Sequence, residues 1–278
     1  MTTSKYLDPA GFPSPDTPRE GSIRAWFTQS GPLVGRQLMV WFRDPVTMMQ
    51  SLLMPAVSMI MFKVVLGDSI AQTTGQNSAY GTVPLVILVG AMFGSMAAAV
   101  RLNQERGSGL LGRLYVMPIN RGADITSRLV AELFRVLVTT LVLLAAGHLI
   151  GFRFTQGVLP AIGIVGVALL YGASFSMLVL ALAVSAKPGA PLVPLLSLLS
   201  SFMMFFNSGF VPLKSYPTWV QPIVEYQPMT PAIEVMRSLA IGGPITKNLI
   251  IVAIWAVAIL ALTTYPALRG YRKAATDR

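Results

Sequence analysis

Few side chains in this sequence could carry out catalytic chemistry. The chain contains no cysteine and one histidine, His148, which argues against a thiolate centre or a histidine-rich metal site. Its 11 acidic residues are scattered, without the paired carboxylates that hold Mg²⁺ in membrane transferases. The phosphate-binding loop GxxxxGK[ST] is also missing from the sequence. We therefore expect this chain not to be an enzyme, and to have no catalytic residue, metal or cofactor of its own.

One ionisable pair stands inside an apolar stretch. Glu132 and Arg135 are three residues apart, so they share a face if the stretch is helical. Ionisable residues near the middle of a membrane can relay protons, but this pair is close to one end of its stretch. The pattern favours an ion pair near the membrane interface, with a proton relay as the alternative.

The composition is that of a membrane protein. Of the 278 residues, 54% are apolar and 12% are charged, and the mean hydropathy is +0.64. A helix of about 20 residues crosses a hydrocarbon core of about 30 Å. Six stretches are long and apolar enough, which predicts an all-α integral membrane protein with spans at about 46–66, 83–100, 129–150, 158–185, 190–211 and 249–268.

The basic residues predict the orientation of these spans. Of the 21 Lys and Arg residues, 15 fall on the side of the two termini, four on the opposite side and two inside the spans. Because positively charged loops stay in the cytoplasm, we predict that both termini are cytoplasmic and that the chain lies in the cytoplasmic (inner) membrane. The formal charge of +10 then reflects topology, and we expect no binding of nucleic acid.

The N-terminal region has two parts. Residues 1–21 are polar and contain four prolines, which predicts a disordered cytosolic leader. Between residues 22 and 43, apolar side chains including Trp26 and Trp41 recur at helical spacing, with arginines on the opposite arc. This pattern predicts an amphipathic helix in the plane of the membrane interface. A helix packed on protein is the alternative.

The segment between the second and third spans differs from an ordinary loop. Residues 103–114 combine charged residues, leucines and glycines, which favours a short cytoplasmic helix that docks on another protein. The candidate contact residues are Gln104, Glu105, Arg106, Gly107, Leu110, Leu111 and Arg113.

The segment between the fifth and sixth spans is too rich in proline and aromatic residues for a free loop. It includes Pro217, Trp219, Pro228 and Arg237, and Gly242-Gly243-Pro244 would end a short helix at 233–241. We predict an outer re-entrant helical hairpin, whose backbone groups must be satisfied by protein or water.

Methionines and aromatic residues in the first and fifth spans could line an adaptable path for a hydrophobic substrate. The residues concerned are Met54, Met59, Phe202, Met203, Phe205 and Phe206, with Asn207 placed to bind a polar head group. Lipid contact and core packing explain the same residues equally well. Apolar transport surfaces discriminate weakly, so no single substrate is predicted.

Two motifs carry a family resemblance. The segment ERGSGLLGRL at 105–114, followed by Met117-Pro118-Ile119, is similar to the coupling-helix motif of ABC-2 type exporter permeases. The segments NSGFVPL at 207–213 and YPTWVQP at 216–222 are similar to the hairpin of that family. The resemblance covers residues 22–278 as one transmembrane domain. It looks closest to daunorubicin-resistance type permeases of actinobacteria, including exporters of phthiocerol dimycocerosate lipids.

The resemblance implies a permease subunit of an ATP-driven ABC exporter that moves a hydrophobic lipid or drug. It also implies partners: two copies of an ABC ATPase subunit, which would hold Mg-ATP and receive the coupling segment, and a second permease, expected to be a distinct homologue. Substrate would move between the two permeases along spans one, two and five, in contact with membrane lipid. The alternatives are a secondary carrier or lipid channel acting without an ATPase, and a scaffold for a membrane enzyme complex.

Overall fold

The computed structural model describes residues 22–109, 121–186 and 191–276, and the regular structure within these ranges is helical. The leader at 1–21 lies outside the described residues, as do Leu110, Leu111 and Arg113. The helices are α1 (Ile23–Arg43), α2 (Pro45–Thr74), α3 (Ala79–Gly107), α4 (Arg121–Leu149), α5 (Val158–Ser185), α6 (Leu192–Phe205), α7 (Gln221–Tyr226), α8 (Met229–Ile241) and α9 (Thr246–Thr276), with a 3₁₀ turn at Leu213–Ser215.

Five helices in the described part of the chain are long and apolar enough to cross a membrane. They are Ser51–Thr73, Ala79–Gly107, Gly122–Leu149, Val158–Ser185 and Thr246–Ala267. These correspond to predicted spans one, two, three, four and six. The described residues therefore agree with the prediction of an all-helical, multi-pass membrane protein.

The predicted fifth span is shorter than expected. Its helix, α6, has 14 residues and ends at Phe205 instead of continuing to residue 211, so it is about 21 Å long. The cause is Asn207, whose amide nitrogen donates hydrogen bonds to the carbonyls of Met203 and Met204. Its side-chain oxygen accepts a hydrogen bond of 2.7 Å from the backbone N–H of Gly209. These local bonds compete with helix continuation, so the chain turns.

The core lies around α3 and α5. In their apolar windows 72% and 67% of the residues are buried, against 17% in both α2 and α9. Helix α5 packs against α3, α4, α8 and α9, which places it at the centre of the bundle. Gly172 permits close approach of α4, since a Cβ atom there would lie 2.9 Å from the side chain of Val136. The outer helices α2 and α9 consequently expose most of their apolar side chains.

Helix α1 packs along α4, as the alternative interpretation of its sequence expected. Leu33 and Trp41 are buried, and the indole N–H of Trp26 donates a hydrogen bond of 3.1 Å to Thr126 Oγ1. Four large apolar side chains of this helix remain exposed, namely Phe27, Met39, Val40 and Phe42.

The segment after α6 folds back onto the bundle. Helix α8 begins four residues before the predicted position and ends, as expected, at Gly242, whose φ of 92° suits glycine. Its side chains, including the fully buried Ile233 and Met236, pack against α3, α5 and α9.

Candidate functional site

The end of the bundle where α3 ends and α4 begins is rich in arginine, and it is called the arginine end below. Its described arginine side chains include Arg36, Arg101, Arg106 and Arg128. The predicted coupling segment starts here. Its first residues, 103–107, are not part of a separate short helix but form the last turn of α3. Helix α3 therefore continues from the centre of the bundle to the surface without a break. The remainder of the segment lies outside the described residues.

Glu105 is the centre of an ionic cluster at the arginine end, formed with Arg36, Asp124 and Arg128. Its carboxylate lies 2.5 Å from Arg128 Nη2 and 3.4 Å from Arg36 Nη2. Arg128 also binds Asp124, with 2.7 Å between Nε and Oδ2. The side chains of Arg128 and Glu105 are only 11% and 14% exposed, so water screens these pairs weakly. The cluster fastens the last turn of α3 to α1 and α4.

The neighbouring candidate residues divide into bound and exposed side chains. Arg106 Nη1 donates a hydrogen bond of 2.9 Å to the carbonyl of Ala186, just after α5. Gln104 and Gly107 are exposed. Glu105 and Arg106 therefore bind helices of this chain, and Gln104 and Gly107 present the free surface of the turn.

A second ion pair lies deeper in the bundle. Arg135 is 3% exposed, and its guanidinium binds Glu132 at 2.8 Å and donates to the carbonyls of Gly90 and Ala91. Glu132 and Arg135 lie about three and four turns after the first residue of α4, because this helix begins eight residues before the predicted span. Gly94 makes room for it, since a Cβ atom there would lie 1.8 Å from Arg135 Nη1. A buried charge requires such a full set of partners.

The predicted path residues fall into two groups. Met54, Phe202, Phe205 and Phe206 are exposed, while Met59, Met203 and Asn207 are buried. Thus only the first group is available to a substrate in this conformation.

The exposed group extends over a larger surface, called the open apolar face below. Helices α2 and α6 both pack on α3, which itself exposes Phe93 and Val100. The other exposed apolar residues of the face are Met49, Leu53, Val57, Ile60, Met61, Val64, Val65, Leu195, Leu198 and Leu199. A surface with this many exposed apolar side chains is typical of contact with lipid or with another protein.

The predicted hairpin residues hold the turn after α6 in different ways. Arg237 binds Glu234 at 2.8 Å and donates a hydrogen bond of 2.7 Å to the carbonyl of Ser208. Pro228 precedes the first turn of α8, whereas Pro217 and Trp219 are exposed, the latter to 76%. Arg237 is therefore the only one of the four whose side chain visibly fastens the turn through hydrogen bonds.

Two further residues, for which no individual role was predicted, hold the same turn. Gln227 Nε2 donates to the carbonyl of Phe206, and the Tyr216 hydroxyl donates to the carbonyl of Asn207 at 3.0 Å. Burial raises the pKa of the Tyr216 phenol, so it remains a donor at neutral pH. Backbone groups of the turn are in this way satisfied by side chains.

Other residues of the site were also missed. Arg36, Asp124 and Arg128 are distant from Glu105 in sequence or looked like ordinary topological charges. Gly94 belongs to a repeat of small residues with Gly90 and Ala98, a pattern that indicates close helix packing but not a buried arginine. The sequence signal for the pocket that holds Arg135 would have been a glycine facing an intramembrane arginine on a neighbouring helix.

Comparison with known proteins places these features in a family. Residues 28–241 match the model of the ABC-2 type transporter family. The chain is 35% identical over 275 residues to the probable doxorubicin resistance ABC transporter permease protein DrrC of Mycobacterium tuberculosis, covering 99% of each chain. It is 26% identical over 207 residues to the daunorubicin resistance ABC transporter permease protein DrrB1 of Streptomyces coeruleorubidus, covering 74% of this chain and 73% of that one. The chain therefore belongs to the ABC-2 type transporter family and is a multi-pass membrane permease.

Proposed function

We propose that this chain is one permease of an ATP-driven exporter for a hydrophobic lipid or drug. Its family membership and the drug-resistance names of its relatives support export. A second permease, a distinct homologue, and two ATPase subunits that bind Mg-ATP complete the transporter. The membrane is the cytoplasmic one, with both termini and the arginine end in the cytoplasm. In this arrangement α6 acts as a sixth, short span, and the segment from α7 to α8 is the outer re-entrant hairpin.

The coupling role is supported by the course of α3, which runs without a break to a last turn that ion pairs join to α1 and α4. A push by the ATPase on Gln104 and Gly107 would act on a turn that Glu105 joins to α1 and α4. Arg106 extends the connection to the end of α5. Since α3 and α5 form the core, movement of this turn must displace the centre of the bundle with it. The ionic cluster therefore transmits the force from the last turn of α3 to α1 and α4.

The open apolar face is the proposed contact with the second permease and the wall of the substrate path. Exposed aromatic and methionine side chains adapt to hydrophobic molecules of different shapes. Met54, Phe202, Phe205 and Phe206 would contact the substrate. Met59, Met203 and Asn207 would support that wall from the interior, with Asn207 setting the end of α6.

The test compares Glu105→Gln with wild type in the complete transporter. The substitution removes the charge that holds two arginines but leaves Gln104 and Gly107 for the ATPase. We expect ATP hydrolysis to continue while export per ATP falls severalfold. The matched control is Asp68→Asn, which changes an exposed carboxylate in the last two turns of α2, away from the ionic cluster.

Two outcomes would contradict the proposal. If Glu105→Gln exported normally per ATP hydrolysed, the ionic cluster would have no role in coupling. Substrate flux driven by an ion gradient, from the reconstituted chain without any ATPase, would identify a secondary carrier instead.

A further inference from the structure

A cavity of about 60 Å³ lies between α1, α3, α4 and α5 at the arginine end. A single water molecule requires only about 10–15 Å³ of such free space, so the cavity has room for a small polar group. Its polar wall includes Gln37 and Trp41 of α1, Arg101 of α3, and Glu132 and Arg135 of α4. The rest of the wall is mostly apolar, with leucine, alanine and valine side chains from α1, α3, α4 and α5.

Two nitrogen donors of this wall are buried without a hydrogen-bond partner. They are the indole Nε1 of Trp41 and the amide Nε2 of Gln37. Trp41 is only 4% exposed, and its indole N–H can donate but cannot accept. Leaving buried donors unpaired is unfavourable, so both call for an acceptor inside the cavity.

The charge of the wall also calls for an anion. Arg128 and Arg135 are neutralised by the carboxylates described above. Glu132 is the acidic side chain of the wall, and Arg135 already engages it. Among the described residues, Arg101 has neither an ion pair nor a side-chain hydrogen bond, and so supplies the uncompensated positive charge.

We propose that this cavity binds an anionic phosphate group, held by the N–H groups of Gln37 and Trp41 and by the guanidinium of Arg101. Phosphate oxygens are acceptors that suit both neutral N–H donors and arginine. The cavity borders the amphipathic helix α1, whose exposed Phe27, Met39 and Phe42 can contact acyl chains. The group can thus belong to an anionic phospholipid or to free phosphate, and this site is separate from the proposed substrate path.

The experiment measures binding to the purified full-length chain by native mass spectrometry with three probes: phosphatidylglycerol, phosphatidylcholine and inorganic phosphate. For wild type we expect phosphatidylglycerol to bind more tightly than phosphatidylcholine. Arg101→Gln should weaken phosphatidylglycerol binding about tenfold or more, because a charge-assisted bond is lost. Trp41→Phe, which keeps the ring and removes the N–H donor, should weaken it severalfold.

Matched controls on α1 separate this site from general attraction. Arg43→Gln removes an exposed arginine, and Trp26→Phe removes an indole N–H that already has a partner in Thr126. Both should bind phosphatidylglycerol like wild type. Thermal unfolding provides a second measurement, because bound lipid should raise the Tm of wild type but not of Arg101→Gln.

The outcomes distinguish the two sources of phosphate. If Arg101→Gln and Trp41→Phe lose phosphatidylglycerol binding but the two control variants keep it, the result supports a lipid head group. Inorganic phosphate that competes for the same site, with the same sensitivity, supports a soluble anion. Unchanged binding of every probe in Arg101→Gln, or equal losses in Arg43→Gln, would overturn the proposal without affecting the exporter assignment.

Discussion

The guanidinium of Arg135 on α4 occupies the space that Gly94 on α3 leaves free, where a Cβ atom would lie 1.8 Å from Nη1. The absence of a side chain at one position thus permits a buried charge at the other. The carbonyls of Gly90 and Ala91, one turn earlier on α3, accept hydrogen bonds from the same guanidinium. The contact between α3 and α4 is consequently specific in shape and in charge.

We expect Gly94→Ala to destabilise the protein by about 2–3 kcal/mol, because the added methyl group must displace Arg135 from its partners. Thermal unfolding of the purified chain measures the effect. The control is Gly166→Ala on α5, where a Cβ atom meets no atom within 4 Å. That substitution should change stability by less than about 1 kcal/mol, in the stabilising direction. Equal stability of the two variants would show that Arg135 can leave its pocket at little cost.

Two ion pairs of equal length offer a matched comparison of burial. Glu132–Arg135 and Glu234–Arg237 are both i,i+3 pairs at 2.8 Å, but the arginines are 3% and 21% exposed, respectively. Glu132→Gln should destabilise by about 3 kcal/mol, because it leaves a buried charge without its carboxylate. Glu234→Gln should cost less than about 1 kcal/mol. Chemical unfolding monitored by circular dichroism measures both, and the reverse order would contradict this account of burial.

Asn207→Ala should destabilise the turn after α6 by about 2 kcal/mol or more, because it removes the partners of buried backbone groups. The variant is more apolar than wild type, so hydropathy alone favours the opposite result. Unfolding measurements should include Asn248→Ala, a half-buried position on α9, as the control. A stability equal to wild type would mean that water replaces the Asn207 side chain.

A photo-crosslinking residue at Phe205, which is 62% exposed, should link this chain to the second permease in the assembled transporter. The same residue at Leu262 of α9, 74% exposed, should not, because α9 does not belong to the open apolar face. Electrophoresis of irradiated membranes reads out the products. Crosslinks from Leu262 and none from Phe205 would move the permease contact from the open apolar face to α9.

The membrane-spanning helices were predictable because their signal is local. Long apolar windows require no knowledge of the neighbours, and Asp44-Pro45, a capping residue followed by proline, is a local signal for the start of α2 at Pro45. The end of α6 was not predictable from hydropathy, because one asparagine, Asn207, ends the helix through hydrogen bonds with the backbone of nearby residues. A separate short coupling helix was expected from the charged residues, leucines and glycines of 103–114, yet residues 103–107 continue α3.

The ionic cluster was beyond prediction for a different reason. Arg36 and Glu105 are 69 positions apart, and nothing in either local segment names the other as its partner. The resemblance to a family singled out Glu105 and Arg106, which lie in the last turn of α3. Their binding to α1, α4 and α5 of the same chain became visible only when the helices were packed together.

The uneven burial of the helices divides the molecule into a densely packed centre, formed by α3 and α5, and outer helices with few buried side chains. Since only 17% of the apolar window of α2 is buried, its tilt is determined largely by whatever surrounds it in the bilayer. We expect a neighbouring subunit to be able to reorient α2 while the α3–α5 centre keeps its packing. A change of shape during transport would then leave most of the stabilising contacts intact.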